Sequence, residues 1–178
     1  GGVAVSDEKP NDKPKIGFNT PFAEQVEFLR QKLNIPTERW DDITRSAHDR
    51  GFMVAGAMKA DLLSDLHEAV NRVAGEGKSL GWFHDNFKKI AKDRGWTGWT
   101  GEGTAAGEAW RTKVIYQTNL STSYAAGRYR QLTEPAFLTR NPYWRYKHAD
   151  YVANPRQQHV AWNNLTLPHD HPFWQTHY

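Results

Sequence analysis

Between Trp144 and Trp174 the chain reads WRYKHADYVANPRQQHVAWNNLTLPHDHPFW, and this run gathers the side chains best equipped for chemistry. They are His148, Asp150, Arg156, His159, His169, Asp170 and His171. Five of the eight histidines fall at or after His148. Large aromatics are interleaved with them: Trp144, Tyr146, Tyr151, Trp162, Phe173 and Trp174. Imidazole, carboxylate and guanidinium groups are costly to bury among aromatics unless each finds a partner. The run is therefore either a site or a dense structural hydrogen-bond network.

Three chemistries fit these residues. The first is metal binding. His169-x-His171 puts two imidazoles on one face of an extended segment, and His148-x-Asp150 repeats the geometry. His148, Asp150, His159 and His171 would supply four ligands, although their spacing matches no defined zinc motif. The second is acid–base catalysis of a hydrolase or nuclease type. His159 would move the proton, Asp150 orient the imidazole and Arg156 stabilise an anion, but no nucleophile accompanies them. The third is structural. Asp150 would pair with Arg156, His159 would donate to a backbone carbonyl, and tryptophans would cover them. This network would also take in Trp144, His148, Asp170, His171 and Trp174. On chemistry alone the structural reading leads, with Asp150, Arg156 and His159 expected to be connected.

The elements that would position this run are mostly helical. Residues 1–20 are rich in Pro, Lys, Asp and Gly and read as a flexible arm or linker. From Pro21, Phe22, Val26, Leu29 and Leu33 follow helical spacing until Asn34-Ile35-Pro36. Thr37 is placed to cap a second helix. Its apolar stripe would run through Ile43, Ala47, Val54, Met58, Leu62, Leu66 and Val73, bent near Gly51 or Gly56, with Met53 and Met58 in the core. Ser79 is an N-cap candidate for a third helix carrying Leu80, Phe83, Phe87, Ile90 and Ala91 and ending at Gly95. Trp96 and Trp99, set among glycines, are expected to plug their loop onto the domain. Thr104 to about Thr133 reads as one long helix ended by Pro135. Val114, Gln117, Ser121 and Tyr124 lie along one of its sides, and Gly127 invites close packing. After Asn141-Pro142 the pattern becomes β-prone at Tyr143 to Lys147 and again at Leu165 to Leu167. The expected fold is α+β: a mainly helical body (21–133) with a long central helix, and a small, irregular β-containing unit (141–178).

Composition sets the bounds. At 178 residues the chain fits one domain, or one domain with an extension. Eight tryptophans offset a hydrophobic fraction of only 38%. The net charge is +3 and the pI about 9.1. This permits contact with nucleic acid without requiring it, because basic and acidic residues are interspersed. There is no cysteine, so neither a disulfide nor a thiolate metal site can form within these residues. No apolar run approaches the roughly 18 residues that suggest a membrane span, and no membrane partner is expected.

Several ordered segments carry a family resemblance. They are PFAEQVEFLRQKLNIPTERWDDI (21–43), YQTNLSTSYAAGR (116–128), the block Trp144…Asp150…Arg156-x-x-His159, and DHPFW (170–174). In this order they resemble the Mu F-like head morphogenesis family, the minor head proteins of tailed phages and prophages. The long helix is similar to that family's central Arg-Thr-Glu…Gly-Arg helix through Thr118, Gly127 and Arg128. Gln117 and Asn119 stand where many relatives have Arg and Glu, which argues against a carboxylate site on the helix. The resemblance implies a virion protein present in few copies in the phage head, assembled in the host cytoplasm. It would associate with portal or capsid protein and act in head assembly, DNA packaging or DNA delivery. It implies no enzymatic activity and no cofactor, and allows non-specific DNA contact. Relatives commonly continue into a Gly-Trp-Gly-Cys-Arg-Cys segment. Without those cysteines the residues at hand, His159 and His171 included, are expected to hold no stoichiometric zinc.

Overall fold

The computed structural model describes residues 22–39, 41–42, 50–149 and 153–177. The arm expected over 1–20 lies outside them, as do Ile43, Ala47, Asp150 and Tyr151.

The first helix, α1 (Ala23–Arg30), buries Gln25 and Leu29. It stops short of Leu33, earlier than the Phe22/Val26/Leu29/Leu33 spacing predicts. Leu33–Asn34 instead forms β1, paired in parallel with β2 (Gly51–Phe52). Ile35 N–H donates to Phe52 O at 3.0 Å, so the chain leaves the helix for a short ladder just before Pro36, where helical geometry is disfavoured.

The long stripe expected from Ile43 to Val73 is likewise not one helix. Phe52 and Val54 are buried, but from β2 and the turn after it. In that turn Gly56 has φ +81°, a left-handed conformation that suits glycine. Gly56 N–H donates to Thr37 O at 2.8 Å. Thr37 is buried, and its hydroxyl has no partner among the described residues. Met53 is half-buried and Met58 is 49% exposed, so neither is the core residue predicted.

Three longer helices form the body. α2 (Ala60–Glu76) buries Leu62, Leu63, Leu66, Val70 and Val73 and ends at left-handed Gly77. α3 (Leu80–Asp93) begins at Ser79, whose Oγ accepts from Trp82 N–H at 3.2 Å, and buries Phe83, Phe87 and Ala91. The tryptophan loop then folds back as expected. Trp99 is buried, with its ring 5.1 Å from that of Phe87, and Trp96 packs beside both.

α4 (Ala105–Leu132) is capped by Thr104, whose Oγ1 accepts from Gly107 N–H at 3.1 Å. Its buried face carries Arg111, Thr112, Ile115, Ser123 and Gly127, while Val114, Gln117, Ser121 and Tyr124 form the exposed side. The inner face is largely small or polar, and it is met by polar partners. Gln25 Nε2 donates to Ser123 Oγ at 3.1 Å, His84 Nδ1 lies 3.1 Å from Thr112 Oγ1, and Arg111 donates to Ala55 O at 2.6 Å. At Gly127, α1 comes so close that an added Cβ would run into the Phe22 ring and sit 2.9 Å from Gln25 N.

Pro135 does more than end α4. It opens a short helix, α5 (Pro135–Arg140), capped by the Glu134 carboxylate. The remainder is β3 (Tyr143–Arg145), α6 (Gln157–Ala161), β4 (Thr166–Pro168) and a 3₁₀ turn over Pro172–Gln175. β3 and β4 pair antiparallel, Trp144 opposite Leu167. The fold is mainly helical α+β, with one long helix and small strands. No helix among the described residues is long and apolar enough to cross a membrane.

Candidate functional site

The polar and aromatic run folds around the β3–β4 hairpin. The pairing continues past β3, since Tyr146 N–H donates to Leu165 O at 2.8 Å and Asn164 N–H to Tyr146 O at 2.9 Å. Asn164 takes φ +68°, which asparagine tolerates better than most residues, and this turns the chain from α6 into β4. Asn163 Oδ1 accepts from His148 N–H at 3.1 Å and ties the opposite limb to that turn. At the far end, His171 caps the 3₁₀ turn through Nδ1, which accepts from Phe173 N–H at 3.2 Å. Trp174 is buried and donates from Nε1 to Pro168 O at 2.8 Å. Side-chain-to-backbone bonds thus fix a segment too irregular to satisfy itself through a ladder.

The aromatics form two joined clusters. In one, Trp144 packs against Trp174 at 5.7 Å, near His169, and reaches Tyr129 of α4 at 6.1 Å. In the other, Trp162 is ringed by Tyr146, His159, Phe173 and His177, with centroids 4.5–5.8 Å away. Phe173 and Trp174, 5.0 Å apart, join the two. The Trp144 indole N–H is buried without a partner among the described residues.

His159 packs against Trp162, with ring centroids 5.2 Å apart. Its Nδ1 lies 2.6 Å from the Tyr146 hydroxyl, a contact not foreseen in the sequence. No bond from His159 to a backbone carbonyl is seen among the described residues. His148, Arg156 and His159 do come together, lining one cavity of about 410 Å³. Asp150, the third member of the expected network, lies outside the described residues. The described lining contains no carboxylate, serine, threonine or thiol. Asp170 is exposed, and His171 is engaged in its cap. Among the described residues no three histidine or carboxylate side chains gather as ligands would.

The helix motif divides between inside and outside. Gly127 is the contact point for α1, whereas Thr118 and Arg128 are exposed. Asn119 spends its amide on Ile115 O at 2.9 Å. The sequence reading missed the polar groups of the core, although Gln25 sits three residues after Phe22 and four before Leu29, on the inward side of α1. It also missed His67. That imidazole stacks on Phe52 at 4.4 Å and lies 2.8 Å from Leu29 O. Burial pushes its pKa below the ordinary value, and burial likewise lowers that of the Arg111 guanidinium.

Comparison with known proteins adds two relatives. Protein F of Escherichia phage Mu, named for capsid assembly, is 34% identical over 166 aligned residues, which cover 89% of this chain and 37% of that protein. The Mu-like prophage F protein of Haemophilus influenzae is 33% identical over 150 residues, covering 82% of this chain and 35% of that protein. No family model matches the chain, and no solved structure matches it. The chain spans somewhat over a third of the length of these curated relatives, and across that span it is similar to the F proteins of Mu and of a Mu-like prophage.

Proposed function

We propose that this chain acts in phage head assembly as a structural component, binding capsid or portal protein rather than turning over a substrate. The observation that carries this reading is the similarity to a protein named for capsid assembly along nearly nine-tenths of the chain. The geometry of the polar run supports it, because several of its side chains hold the hairpin, the turn and the 3₁₀ segment in place by hydrogen bonds. A product of this kind would be found in the phage head after assembly in the host cell. Any DNA contact made during packaging or delivery would be non-specific and weakened by salt, since the excess of positive charge is small and no groove-reading motif is present.

The test is co-expression of the chain with the capsid and portal proteins of the same phage or prophage, followed by sedimentation of the assembled particles. The expected result is co-sedimentation with heads or with isolated portal. A chain left wholly in the free fraction would count against the role. Titration of a DNA duplex at low and moderate salt tests the DNA arm, and tight binding that ignores ionic strength would contradict it.

A further inference from the structure

A second groove, separate from the His159 cavity, lies between α4 and β3 and encloses about 580 Å³. Five consecutive residues, Tyr143 to Lys147, form one wall. Successive side chains of an extended strand point to opposite faces, so a groove touching all five runs along the strand's edge. The other wall is α4, through Tyr124, Arg128, Tyr129 and Leu132, with Phe137 of α5 alongside.

The backbone of that edge is open among the described residues. Pro142 O and both backbone groups of Tyr146 bond toward the β4 side. By alternation the Trp144 groups face β4 as well, and those of Tyr143 and Arg145 point outward. No backbone partner for these outward groups exists among the described residues. An unpaired edge of this kind is a template for an added strand.

Among the described residues the charge along the groove has one sign. The described lining includes Arg128, Arg145 and Lys147 and no aspartate or glutamate. Some other arginines of this fold meet carboxylates, as Arg130 does at Glu27 and Arg94 at Asp61 and Asp65. Arg128 and Arg145 have neutral partners instead, Gln131 Oε1 at 2.8 Å and Thr166 Oγ1 at 3.3 Å. The lining also includes the exposed rings of Tyr124, Tyr129, Phe137 and Tyr143.

We propose that this groove binds an extended, acidic segment of a partner protein, added as a strand along β3. Its carboxylates meet Arg128 and Arg145, and its apolar side chains rest on the α4 aromatics. A polypeptide fits better than a nucleic acid because the edge offers alternating main-chain donors and acceptors, which only another peptide backbone continues as a ladder. The proposal deepens the assembly reading and rests on it only for where the partner is found.

The experiment is an amide NMR titration of the 178-residue chain. The probes are a synthetic peptide of alternating glutamate and valine, its lysine–valine counterpart, the acidic peptide N-methylated at alternate residues, and an oligothymidylate. The expected result is saturable shifts at Tyr143 to Lys147 and along the facing side of α4, with the acidic peptide alone. Affinity should fall at least about tenfold in the Arg128→Glu/Arg145→Glu variant. It should also fall in Tyr143→Pro, which removes an outward N–H at a position where an edge strand tolerates proline. All three positions are exposed, and the amide spectrum itself reports whether each variant is folded. The proposal is overturned if the acidic peptide produces no shifts, or if the lysine or N-methylated peptide binds equally well. It is also overturned if oligothymidylate alone saturates these amides, or if sedimentation shows a second copy of the chain already filling the edge. Co-sedimentation with heads in the absence of peptide binding would remove this surface and leave the assembly role standing.

Discussion

The Tyr146 hydroxyl and His159 Nδ1, 2.6 Å apart, join the limb that follows β3 to α6 by a side-chain bond where no backbone ladder reaches. Replacing Tyr146 with Phe keeps the ring against Trp162 and Phe173 and removes only this bond. We expect a loss of about 1 kcal/mol in chemical denaturation, the usual net worth of such a bond. The His159 ring should change its tautomer balance in nitrogen NMR. An unchanged denaturation midpoint together with an unchanged ring signal would show that the bond does not hold α6.

Gly127→Ala sets two effects against each other. Within an isolated helix the change should help by up to about 1 kcal/mol. Here the new methyl group would meet the Phe22 ring and the Gln25 backbone, so α1 must move away from α4. Overpacking of this kind costs about 1–3 kcal/mol, and we expect net destabilisation by thermal melting. A rise in melting temperature would mean that the two helices are not in close contact.

His67 gives the fold a pH dependence. Burial holds its pKa below 6.5, Lys32 adds to the shift, and the bond to Leu29 O opposes it. As the pH falls, the unfolded chain therefore takes up a proton on this residue before the folded chain does. Stability from this group is complete above about pH 6.5 and declines as pH drops from there toward the lower folded value. His67→Phe should retain the stack on Phe52, remove this component of the pH slope, and lower neutral-pH stability by about 1 kcal/mol through the lost bond. Denaturation curves for both chains across that range provide the comparison, and parallel slopes would refute the assignment.

Trp174 anchors the polar run. Trp174→Ala removes its packing on Trp144 and Phe173 and its bond to Pro168 O, and a truncation of this size costs about 3–5 kcal/mol. Trp174→Phe should retain most of the packing and lose about 1 kcal/mol for the bond. Near-ultraviolet circular dichroism reports the aromatic clusters and should collapse in the first variant only. Equal effects in the two would assign the whole contribution to the indole N–H.

Legibility followed periodicity. α3 could be read because the Ser79 cap and the apolar spacing agree over many residues, and α4 because no proline interrupts the chain between Thr104 and Pro135. The two strands β3 and β4 could be read, though not their pairing, because aromatic and apolar residues there lie between proline breaks. β1 and β2 could not, because two residues carry no period and their pairing brings Leu33 beside Gly51, a relation set by tertiary contact. The same limit applied to the site. Trp144, Arg156, His159 and Trp174 were singled out by residue type, but Tyr146 was counted only as an aromatic, and its hydroxyl lies against His159. The edge groove carries no sequence signature, since it exists only where α4 passes β3.

The contact of α1 with α4 also sets an order of events. Gln25 and Ser123, which bond to each other, are 98 positions apart in the chain. At the roughly 5–20 residues per second of synthesis, α1 emerges about 5–20 seconds before the surface it rests on. A helix of eight residues does not persist alone in water over that interval. The segment that is made early is thus fastened late, as a latch closed by the finished long helix.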